Sequence, residues 1–475
     1  MRSLMWFRSD LRLADNPALT AAVTSGDHGT VAVFVCCPEQ WLEHDWGAPK
    51  VDFLLRNLED LSRRLEQLGV PLLVLQVDLF AEVPNVLLEV AREHDCEALF
   101  FNREYEVNER RRDEEVSRHF GGAGLEVRAS DDQTIIEPAA LRTTQGTFYT
   151  VFTPFYRSWV RSLEESGIPE LEPSPGSRRE LPCQPSTVPT VIEGFAPANG
   201  RFESWQAGEE AARRRLERFL EARASQYPES RDVPSEEATS SLSPYLALGV
   251  ISARTCLWAA AEANKGQLTG GEKGLVGWIR QLVWREFYRH VLVGYPRVSM
   301  NRAFKAETER IAWRHDETAF HAWSEGRIGV PFIDAGMRQL RESGWMHNRL
   351  RMVTAMFLTK DLLIDWRWGE RFFMQHLVDG DLANNNGGWQ WSASTGTDAA
   401  PYFRIFNPWT QGRRYDPDGK FIRRWVPELA GIAPSALHDP KRLADALPAK
   451  PGYPRPLVNH ASARVRALEA FQATS

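Results

Sequence analysis

Several familiar signatures are missing from this chain of 475 residues. Its five cysteines form no Cys-x-x-Cys pair and no regular spacing, so we expect neither a disulfide framework nor a metal site. No apolar run approaches about 18 residues, which argues against a membrane-spanning helix. No Gly-x-Gly-x-x-Gly opens a helix and no Gly-x4-Gly-Lys-Ser/Thr occurs, so the usual nucleotide-binding loops are excluded. The N-terminus enters a strand-like LMWF without a leader pattern, which predicts a cytoplasmic protein.

Charge and tryptophan are unevenly distributed along the chain. The net charge is -6, yet residues 271–360 carry 15 Lys and Arg against 9 Asp and Glu. Such a basic face suits a phosphate-bearing partner, although a solvated, salt-bridged surface explains it equally well. Most of the 17 tryptophans follow residue 200, where core packing accounts for many of them but not for the close pair Trp389 and Trp391.

The first 130 residues alternate short apolar runs with amphipathic ones. The runs predict strands at Leu4–Phe7, Val31–Cys37, Leu72–Val77 and Ala98–Phe101, with helices at Lys50–Leu68 and Pro84–His94. This alternation is typical of a parallel sheet with helices on both faces, so we predict a Rossmann-like α/β domain over residues 1–130.

Beyond residue 130 the composition and the period change. Residues 131–200 are predicted to form an interdomain connection, and its last part, 171–200, contains six prolines. Helical spacing then appears at Arg213–Ala224, Leu275–Val293, Val330–Leu340 and Trp345–Leu363. Since no alternating strand follows residue 200, residues 201–475 are predicted to form an all-α domain.

The segment Asp379–Pro408 is the most unusual in the chain. Its first thirteen residues hold two aspartates, three consecutive asparagines, a glycine pair and Trp-Gln-Trp. Polar and apolar positions follow neither the helical nor the strand period, so no plain amphipathic element is predicted there. The segment looks suited to offering hydrogen-bonding groups and aromatic faces to a flat, polar ligand.

Three further motifs place polar groups on predicted helices. In Ala238–Gly249, Ser243 before Pro244 predicts a hydroxyl N-cap, and the neighbouring hydroxyls suit a phosphate if they do more than cap the helix. In Trp278–His290, the spacing puts Trp278, Gln281 and Arg285 on one face, flanked by Trp284. In Trp345–Met352, Asn348 and Met352 lie one turn apart.

These motifs carry a resemblance. With WFRSDLRLADN at the start, WREFYRH, WMHNRLRM and DGDLANNNGGWQWSASTGTDAAPYFRIFNP, the chain resembles the photolyase/cryptochrome family over nearly its whole length. Within it the chain is most similar to bacterial class I cyclobutane-pyrimidine-dimer photolyases of the folate-antenna type. The resemblance implies a light-driven carbon–carbon lyase with FAD in an all-helical domain, acting on UV-damaged DNA as a monomer.

The resemblance also implies roles for individual residues. FAD would be bound by Tyr227, Thr239, Ser240, Leu242, Ser243, Trp278, Arg285, Asn348, Arg351, Asp379, Gly380, Asp381 and Asn385. Arg351 and Asp379 would form an ion pair, and Asn385 would face flavin N5. The excised dimer and the DNA backbone would contact Arg231, Gln281, Trp284, Asn348, Met352, Trp391, Arg404 and Gln411. Trp389, Trp366 and Trp313 match the family's electron-transfer chain, although spacing alone leaves them as core residues.

An antenna chromophore is implied as well. His44, Asn108 and Glu109 match the positions that bind 5,10-methenyltetrahydrofolate in folate-type members. A carboxylate such as Glu109 can accept two parallel hydrogen bonds from a pterin. The alternative is that Asn108 and Glu109 simply begin a charged helix.

Some positions depart from the class I pattern. Gln281 stands where class I dimer photolyases usually carry a glutamate, and glutamine at this position is more familiar in (6-4) photolyases and animal cryptochromes. Met352 points the other way, because (6-4) photolyases carry a histidine at that position. Ser241, Ser299 and Met300 also differ from the folate-type pattern, which makes antenna occupancy an open point. A (6-4) photolyase, a cryptochrome photoreceptor and a flavin electron-transfer protein remain as alternatives.

Overall fold

A computed structural model describes residues 1–176, 183–195, 205–447 and 452–474. Within these ranges the chain forms two compact units. Unit 1 takes its residues from Met1–Ser225, Ser240–Pro296 and Val378–Gly380, and unit 2 from Gln226–Thr239, Arg297–Leu377 and Asp381–Ser475. The division at residues 130 and 200 remains a prediction, and residues 177–182 and 196–200 of the proline-rich stretch lie outside the described residues.

Unit 1 contains a five-stranded parallel sheet in the order β3-β2-β1-β4-β5. Its strands are β1 (Ser3–Phe7), β2 (Thr30–Cys36), β3 (Leu72–Gln76), β4 (Ala98–Asn102) and β5 (Glu126–Ser130). The four predicted strands and the Rossmann-like order are confirmed. β1, β2 and β4 are buried along their whole length, which explains their unbroken apolar sequences. The edge strand β5 is partly exposed and has no such run, so it was not predicted.

Unit 1 also contains helices. They are α1 (Pro17–Ser25), α2 (Pro38–Glu43), α3 (Ala48–Gln67), α4 (Val83–Glu93), α5 (Val107–Gly122), α6 (Phe152–Ser166), α7 (Glu209–Ala222), α9 (Ser243–Ala247), α10 (Ala253–Ala263) and α11 (Lys273–Gly294). The predicted helices Lys50–Leu68, Pro84–His94, Arg213–Ala224 and Leu275–Val293 correspond to α3, α4, α7 and α11. α6 lies inside the predicted connection.

Unit 2 is helical throughout its described residues. Its helices are α8 (Tyr227–Ser230), α12 (Glu317–Ser324), α13 (Pro331–Ser343), α14 (Asn348–Met356), α15 (Trp366–His376), α16 (Leu382–Ala393), α17 (Pro408–Tyr415), α18 (Lys420–Trp425), α19 (Pro434–Leu437), α20 (Pro440–Ala446) and α21 (His460–Gln472). The core of this unit includes the buried indoles of Trp323, Trp366 and Trp389. The prediction of an α/β fold followed by a helical one is therefore confirmed.

One predicted helix of unit 2 has different limits. The apolar spacing predicts a single helix over Trp345–Leu363, and its markers Met346, Leu350, Val353 and Phe357 are indeed buried. The α-helix begins only at Asn348, because His347 precedes it and its Nδ1 accepts the Arg349 N–H at 3.1 Å. It then continues as a π-helical turn, Phe357–Asp361, rather than as α-helix.

The start of Asp379–Pro408 forms a helix, α16 (residues 382–393), but this helix has no apolar stripe, so the expectation of no plain amphipathic element is confirmed. The Asp381 carboxylate caps this helix by accepting the Asn384 N–H at 2.9 Å. The apolar period is hidden because polar Asn386 and Gln390 are buried together with Trp389. Hydrogen bonds satisfy these polar side chains, so a helix without an apolar stripe is stable here.

Candidate functional site

α11 places the first predicted group in unit 1. Trp278 is buried, and its Nε1–H donates to Ser240 Oγ at 3.3 Å. The Arg285 guanidinium donates to the carbonyl oxygens of Gln133 at 2.7 Å and Leu246 at 3.2 Å. Trp278 and Arg285 thus share the face of α11 that contacts the 240–246 segment, as the sequence predicted. Gln281 lies between them, about one turn after Trp278. It is half-buried, and its Nε2 donates to the Gly277 carbonyl oxygen at 3.2 Å.

The 238–249 segment differs in detail from the prediction. α9 begins at Ser243, Leu242 occupies the N-cap position, and no side chain caps the helix, so the predicted Ser243 N-cap was wrong. The cause is Ser241, whose φ of +50° turns the chain one residue earlier than expected. Pro244 does lie in the first helical turn. The segment still contains three hydroxyl groups, those of Ser240, Ser241 and Ser243, within four residues of chain.

α16 carries a chain of amides in unit 2. The Nδ2 of Asn385 donates to the Glu370 carbonyl oxygen at 3.0 Å, and the Nδ2 of Asn386 donates to the Glu370 carboxylate at 2.9 Å. Gln390 Nε2 donates to Asn386 Oδ1 at 2.8 Å. Because its amino group is bound to Glu370, the amide of Asn385 keeps Oδ1 as an acceptor for a ligand. The sequence pointed to Asn385 but not to Glu370, which lies on another helix.

The three tryptophans of the suspected electron-transfer chain all belong to unit 2. Trp366 and Trp389 are 1% and 2% exposed, whereas Trp313 is half-buried. The Trp389 ring lies edge-on to Phe373 at 4.9 Å and to Trp323 at 6.0 Å, and its Nε1 is buried without a hydrogen-bond partner. Trp313 lies edge-on to Phe471 at 5.9 Å. Two of the three indoles are therefore buried and one is half-buried, an arrangement that suits electron transfer between the interior and the surface.

α14 brings together Asn348 and Met352 as the spacing predicted. Asn348 Nδ2 approaches Met352 Sδ at 3.8 Å, and Asn348 is exposed. Between them, Arg349 forms an ion pair with Asp232 at 2.9 Å and stacks on the Tyr415 ring at 4.3 Å. Sequence reasoning missed Arg349, since its partners lie on distant segments. Arg351 Nε donates to the Met346 carbonyl oxygen at 2.8 Å.

The remaining predicted nucleic-acid residues lie at several places in the two units. In unit 2, Arg404 is exposed, Gln411 is half-buried on α17, and the Arg231 guanidinium lies 5.5 Å from the Tyr227 ring. Tyr227 is buried, and burial raises the pKa of its phenol. Trp391 is half-buried near the end of α16, where its carbonyl accepts the Ala400 N–H at 3.2 Å. In unit 1, Trp284 on α11 is half-buried.

Asp379 and Gly380 complete the predicted flavin set. Both belong to the Val378–Gly380 stretch of unit 1, and Asp379 is buried. Asp381, the next residue, belongs to unit 2 and caps α16. The ion pair between Arg351 and Asp379 stays a prediction.

The predicted antenna residues meet in unit 1. His44 Nδ1 lies 3.3 Å from Glu109 Oε1, and Asn108 Nδ2 lies 3.0 Å from His44 Nε2. Burial lowers the pKa of His44, but the Glu109 carboxylate outweighs it and the pKa is raised. Gln40 Nε2, which no sequence signal revealed, also reaches His44 Nε2 at 3.3 Å. Met300, a departure from the folate-type pattern, is 55% exposed.

Two features that would indicate other functions are missing from the described residues. Within the described ranges, no helix combines the length and the apolar composition that a membrane crossing requires. In the same residues, no group of three His, Cys, Asp or Glu side chains is arranged to hold a metal ion.

Comparison with known proteins covers the whole chain. Residues 3–176 match the DNA photolyase domain, and residues 278–473 match the FAD binding domain of DNA photolyase. The deoxyribodipyrimidine photo-lyase of Escherichia coli K12 is 43% identical over 99% of this chain and 98% of its own length. That of Vibrio cholerae is 42% identical over 99% of both chains.

Solved structures agree with this assignment. A bacterial class III photolyase from Agrobacterium tumefaciens superimposes with a TM-score of 0.89, at 36% identity over 100% of this chain and 97% of its own. The predicted fold, the FAD-binding domain and, at the level of the family, a light-driven DNA-repair enzyme are confirmed. From the N-terminal sheet to the last helices, this chain belongs to the DNA photolyase family.

Proposed function

We propose that this chain is a deoxyribodipyrimidine photo-lyase that repairs cyclobutane pyrimidine dimers in UV-damaged DNA. The observation that carries the proposal is α16, on which Asn385, Trp389 and Trp391 follow one another within two turns. One helix thus joins an oriented amide, a buried indole and a half-buried indole. A protein of this family that only transferred electrons would need neither the half-buried indole of Trp391 nor the exposed guanidinium of Arg404.

The chemistry of the proposed FAD-binding residues fits that cofactor. The hydroxyls of Thr239, Ser240 and Ser243 can hydrogen-bond to phosphate and ribityl oxygens. The family resemblance assigns Leu242, in the same segment, to FAD as well. Trp278 and Arg285, both fixed by hydrogen bonds within unit 1, would bind FAD. The family resemblance assigns Tyr227, Asn348, Arg351, Asp379, Gly380 and Asp381 to the same cofactor. When bound, reduced FAD supplies the light-excited electron that splits the cyclobutane ring.

Asn385 has a specific role in this proposal. Its Oδ1, left as an acceptor by the bond from Nδ2 to Glu370, would accept the N5–H of reduced flavin. A neutral amide suits this position because a carboxylate would repel a reduced flavin that carries negative charge. Asp381 would contact the polar edge of the flavin while its carboxylate caps α16.

A second group would bind the damaged dinucleotide. Photolyases act on a dimer that has left the stack, and extrusion costs roughly a few kcal/mol, less for bases that are already distorted. Trp284 and Trp391 would stack on the extruded bases, and Gln281, Asn348 and Met352 would contact their edges. Arg231, Arg404 and Gln411 would bind the DNA backbone.

The tryptophans would return oxidised flavin to its reduced form from outside. Trp389 and Trp366 are buried and Trp313 is half-buried, so Trp313 would be the surface end of this chain. The unpartnered Nε1 of Trp389 supports a role beyond packing, since buried polar groups are normally satisfied.

The cluster of His44, Asn108 and Glu109 supports 5,10-methenyltetrahydrofolate as the antenna. The Glu109 carboxylate would accept the donor edge of the pterin. We further propose a cytoplasmic monomer that uses no metal. The absorption spectrum of the purified protein tests the antenna: a near-ultraviolet band beyond that of flavin is expected, and its absence argues against retained folate.

Gln281 favours a second candidate, a (6-4) photolyase or a cryptochrome. A cryptochrome of Synechocystis superimposes with a TM-score of 0.88 at 28% identity over 99% of both chains. Matched oligonucleotides with a cyclobutane thymine dimer or a (6-4) photoproduct separate these candidates. We expect the reduced protein to restore only the cyclobutane dimer under blue light. Restoration of only the (6-4) product would select the (6-4) photolyase, and restoration of neither lesion would select the cryptochrome.

A further inference from the structure

Trp284 does not stand alone on α11, because an aromatic ring from α6 covers one of its faces. The ring of Phe152, the first residue of α6, lies 3.7 Å from that of Trp284, centroid to centroid, and the planes differ by only 4°. Phe152 is 1% exposed, whereas Trp284 is half-buried. Phe152 therefore lies on the inner side of the indole.

Further contacts fix Phe152 itself. Its ring stacks with that of Tyr156 at 5.9 Å and lies edge-on to that of Phe287 at 5.8 Å. The Arg280 guanidinium lies 5.3 Å from the Phe152 ring. These neighbours hold the ring from several directions, so its plane is set before any ligand binds.

A second connection holds α6 and α11 together. The Trp159 indole on α6 donates to the Glu286 carboxylate on α11 at 2.8 Å. The same carboxylate accepts the backbone N–H groups of Ile135 at 2.8 Å and Ile136 at 2.9 Å. With Glu286 buried and Trp284 stacked, α6 constrains α11 at two points that are two residues apart.

The geometry of the stack suggests a role beyond packing. Aromatic pairs prefer offset or edge-to-face arrangements over direct overlap. The parallel overlap of Phe152 and Trp284 covers one indole face, and Phe287 lies edge-on to the same indole at 5.7 Å. A flat ligand that stacks on Trp284 would therefore use the face opposite Phe152.

We propose that Phe152 is a positioning residue, which holds the indole plane of Trp284 ready to stack on the extruded pyrimidine dimer. The inference rests on the proposed function, in which Trp284 contacts the dimer. Ordering a side chain in advance reduces the entropy lost on binding, so removing Phe152 should weaken the binding of the dimer. Binding of undamaged DNA, which depends on backbone contacts, should not change.

The test compares Kd values in the dark, at one salt concentration, for a thymine-dimer oligonucleotide and its undamaged twin. The variants are Phe152→Leu, Phe152→Met, Trp284→Ala and Phe152→Leu with Trp284→Ala, and the matched control is Tyr149→Leu. The half-buried Tyr149 ring packs on Phe155 at 6.1 Å and on His290 at 6.1 Å, so its loss removes an aromatic ring that neighbours α6 without being part of the Phe152–Trp284 stack. Denaturant unfolding identifies any variant that fails to fold, and the leucine and methionine variants provide two independent truncations.

We expect Phe152→Leu and Phe152→Met to weaken dimer binding about threefold to tenfold, and Trp284→Ala to weaken it about tenfold or more. Tyr149→Leu should bind like the natural chain. In the Trp284→Ala background, Phe152→Leu should add nothing, an interaction that a general loss of stability would not produce. Normal dimer binding by the folded Phe152 variants, or effects that multiply in the double variant, would overturn the inference and leave the proposed function standing. Normal binding by Trp284→Ala would instead refute the role that the proposed function gives to Trp284, and with it the inference.

Discussion

Gly369 on α15 gives the sharpest stability prediction, because its hydrogen faces the indole of Trp389. A Cβ added at Gly369 would lie 2.1 Å from Trp389 Cη2, 2.4 Å from Cζ3 and 2.7 Å from Leu358 Cδ2. Carbon atoms attract one another best at about 3.5–4.0 Å, so the indole would have to move by more than about 1 Å. It cannot do so freely, since Trp389 also packs against Phe373 and Trp323.

The expected cost of Gly369→Ala follows from two opposing effects. Overpacking a well-packed core costs about 1–3 kcal/mol, and contacts this short on a rigid ring favour the upper end. Alanine is favoured over glycine in a helix by about 1 kcal/mol. We therefore expect the free energy of unfolding to fall by about 2 kcal/mol. Photoreduction of the FAD-loaded protein should also be slower, because Trp389 is displaced.

Gly388→Ala is the matched control. Gly388 precedes Trp389 on α16, is exposed, and has no atom within 4 Å of an added Cβ. Urea unfolding should show this variant to be equal to the natural chain or more stable by up to about 1 kcal/mol. The reasoning is refuted if Gly369→Ala unfolds at the same urea concentration as Gly388→Ala.

Three further predictions use other parts of the chain. Gln281→Glu should raise the quantum yield of repair, because a protonated carboxyl donates a stronger hydrogen bond to the dimer radical anion than an amide N–H does; an unchanged yield contradicts this view of Gln281. Asp381→Ala should lower the free energy of unfolding by about 1 kcal/mol by removing the cap of α16, as measured by urea unfolding, and Asp381→Asn should recover most of the loss. His290→Gln should reduce the loss of stability between pH 7 and pH 4, as measured by urea unfolding at each pH.

The sign of the His290 effect follows from its contacts. His290 is buried, its Nδ1–H donates to the Pro138 carbonyl at 2.8 Å, and its Nε2 accepts the Tyr149 N–H at 2.9 Å. Burial lowers the pKa of His290 to about 4, so the folded protein resists its protonation. Stability from this group is present above pH 6.5 and is lost as the pH falls toward 4, by at most about 3 kcal/mol. If the free energy of unfolding changed with pH in the same way for the natural chain and for His290→Gln, the lowered pKa of His290 would be contradicted.

The local pattern of apolar and polar residues was sufficient to predict some of the strands and helices. Buried parallel strands have apolar sequences on both faces, so β1, β2 and β4 were predictable, whereas the half-exposed edge strand β5 was not. Amphipathic α3 and α4 were found to within two residues. α16 was missed because its buried face combines indole with amides, which satisfy one another only through Glu370 on a different helix.

In the candidate site, too, the sequence predicted contacts within one helix but not contacts between distant segments. Spacing within one helix placed Asn348 beside Met352, and Trp278 and Arg285 on one face of α11. Partners from distant segments, such as Asp232 for Arg349 or Phe152 for Trp284, leave no periodic trace in the sequence. The Ser243 cap failed for a related reason, because a single residue with positive φ, Ser241, moved the helix start relative to its capping signal.

Blue-light repair of a thymine-dimer oligonucleotide tests the central claim most directly. The FAD-loaded, reduced protein is mixed with the oligonucleotide, and intact thymine is measured by chromatography after illumination and after an equal time in the dark. The account predicts restoration that grows with the light dose, with none in the dark. An illuminated, reduced protein that binds the dimer yet leaves it unsplit would contradict the account.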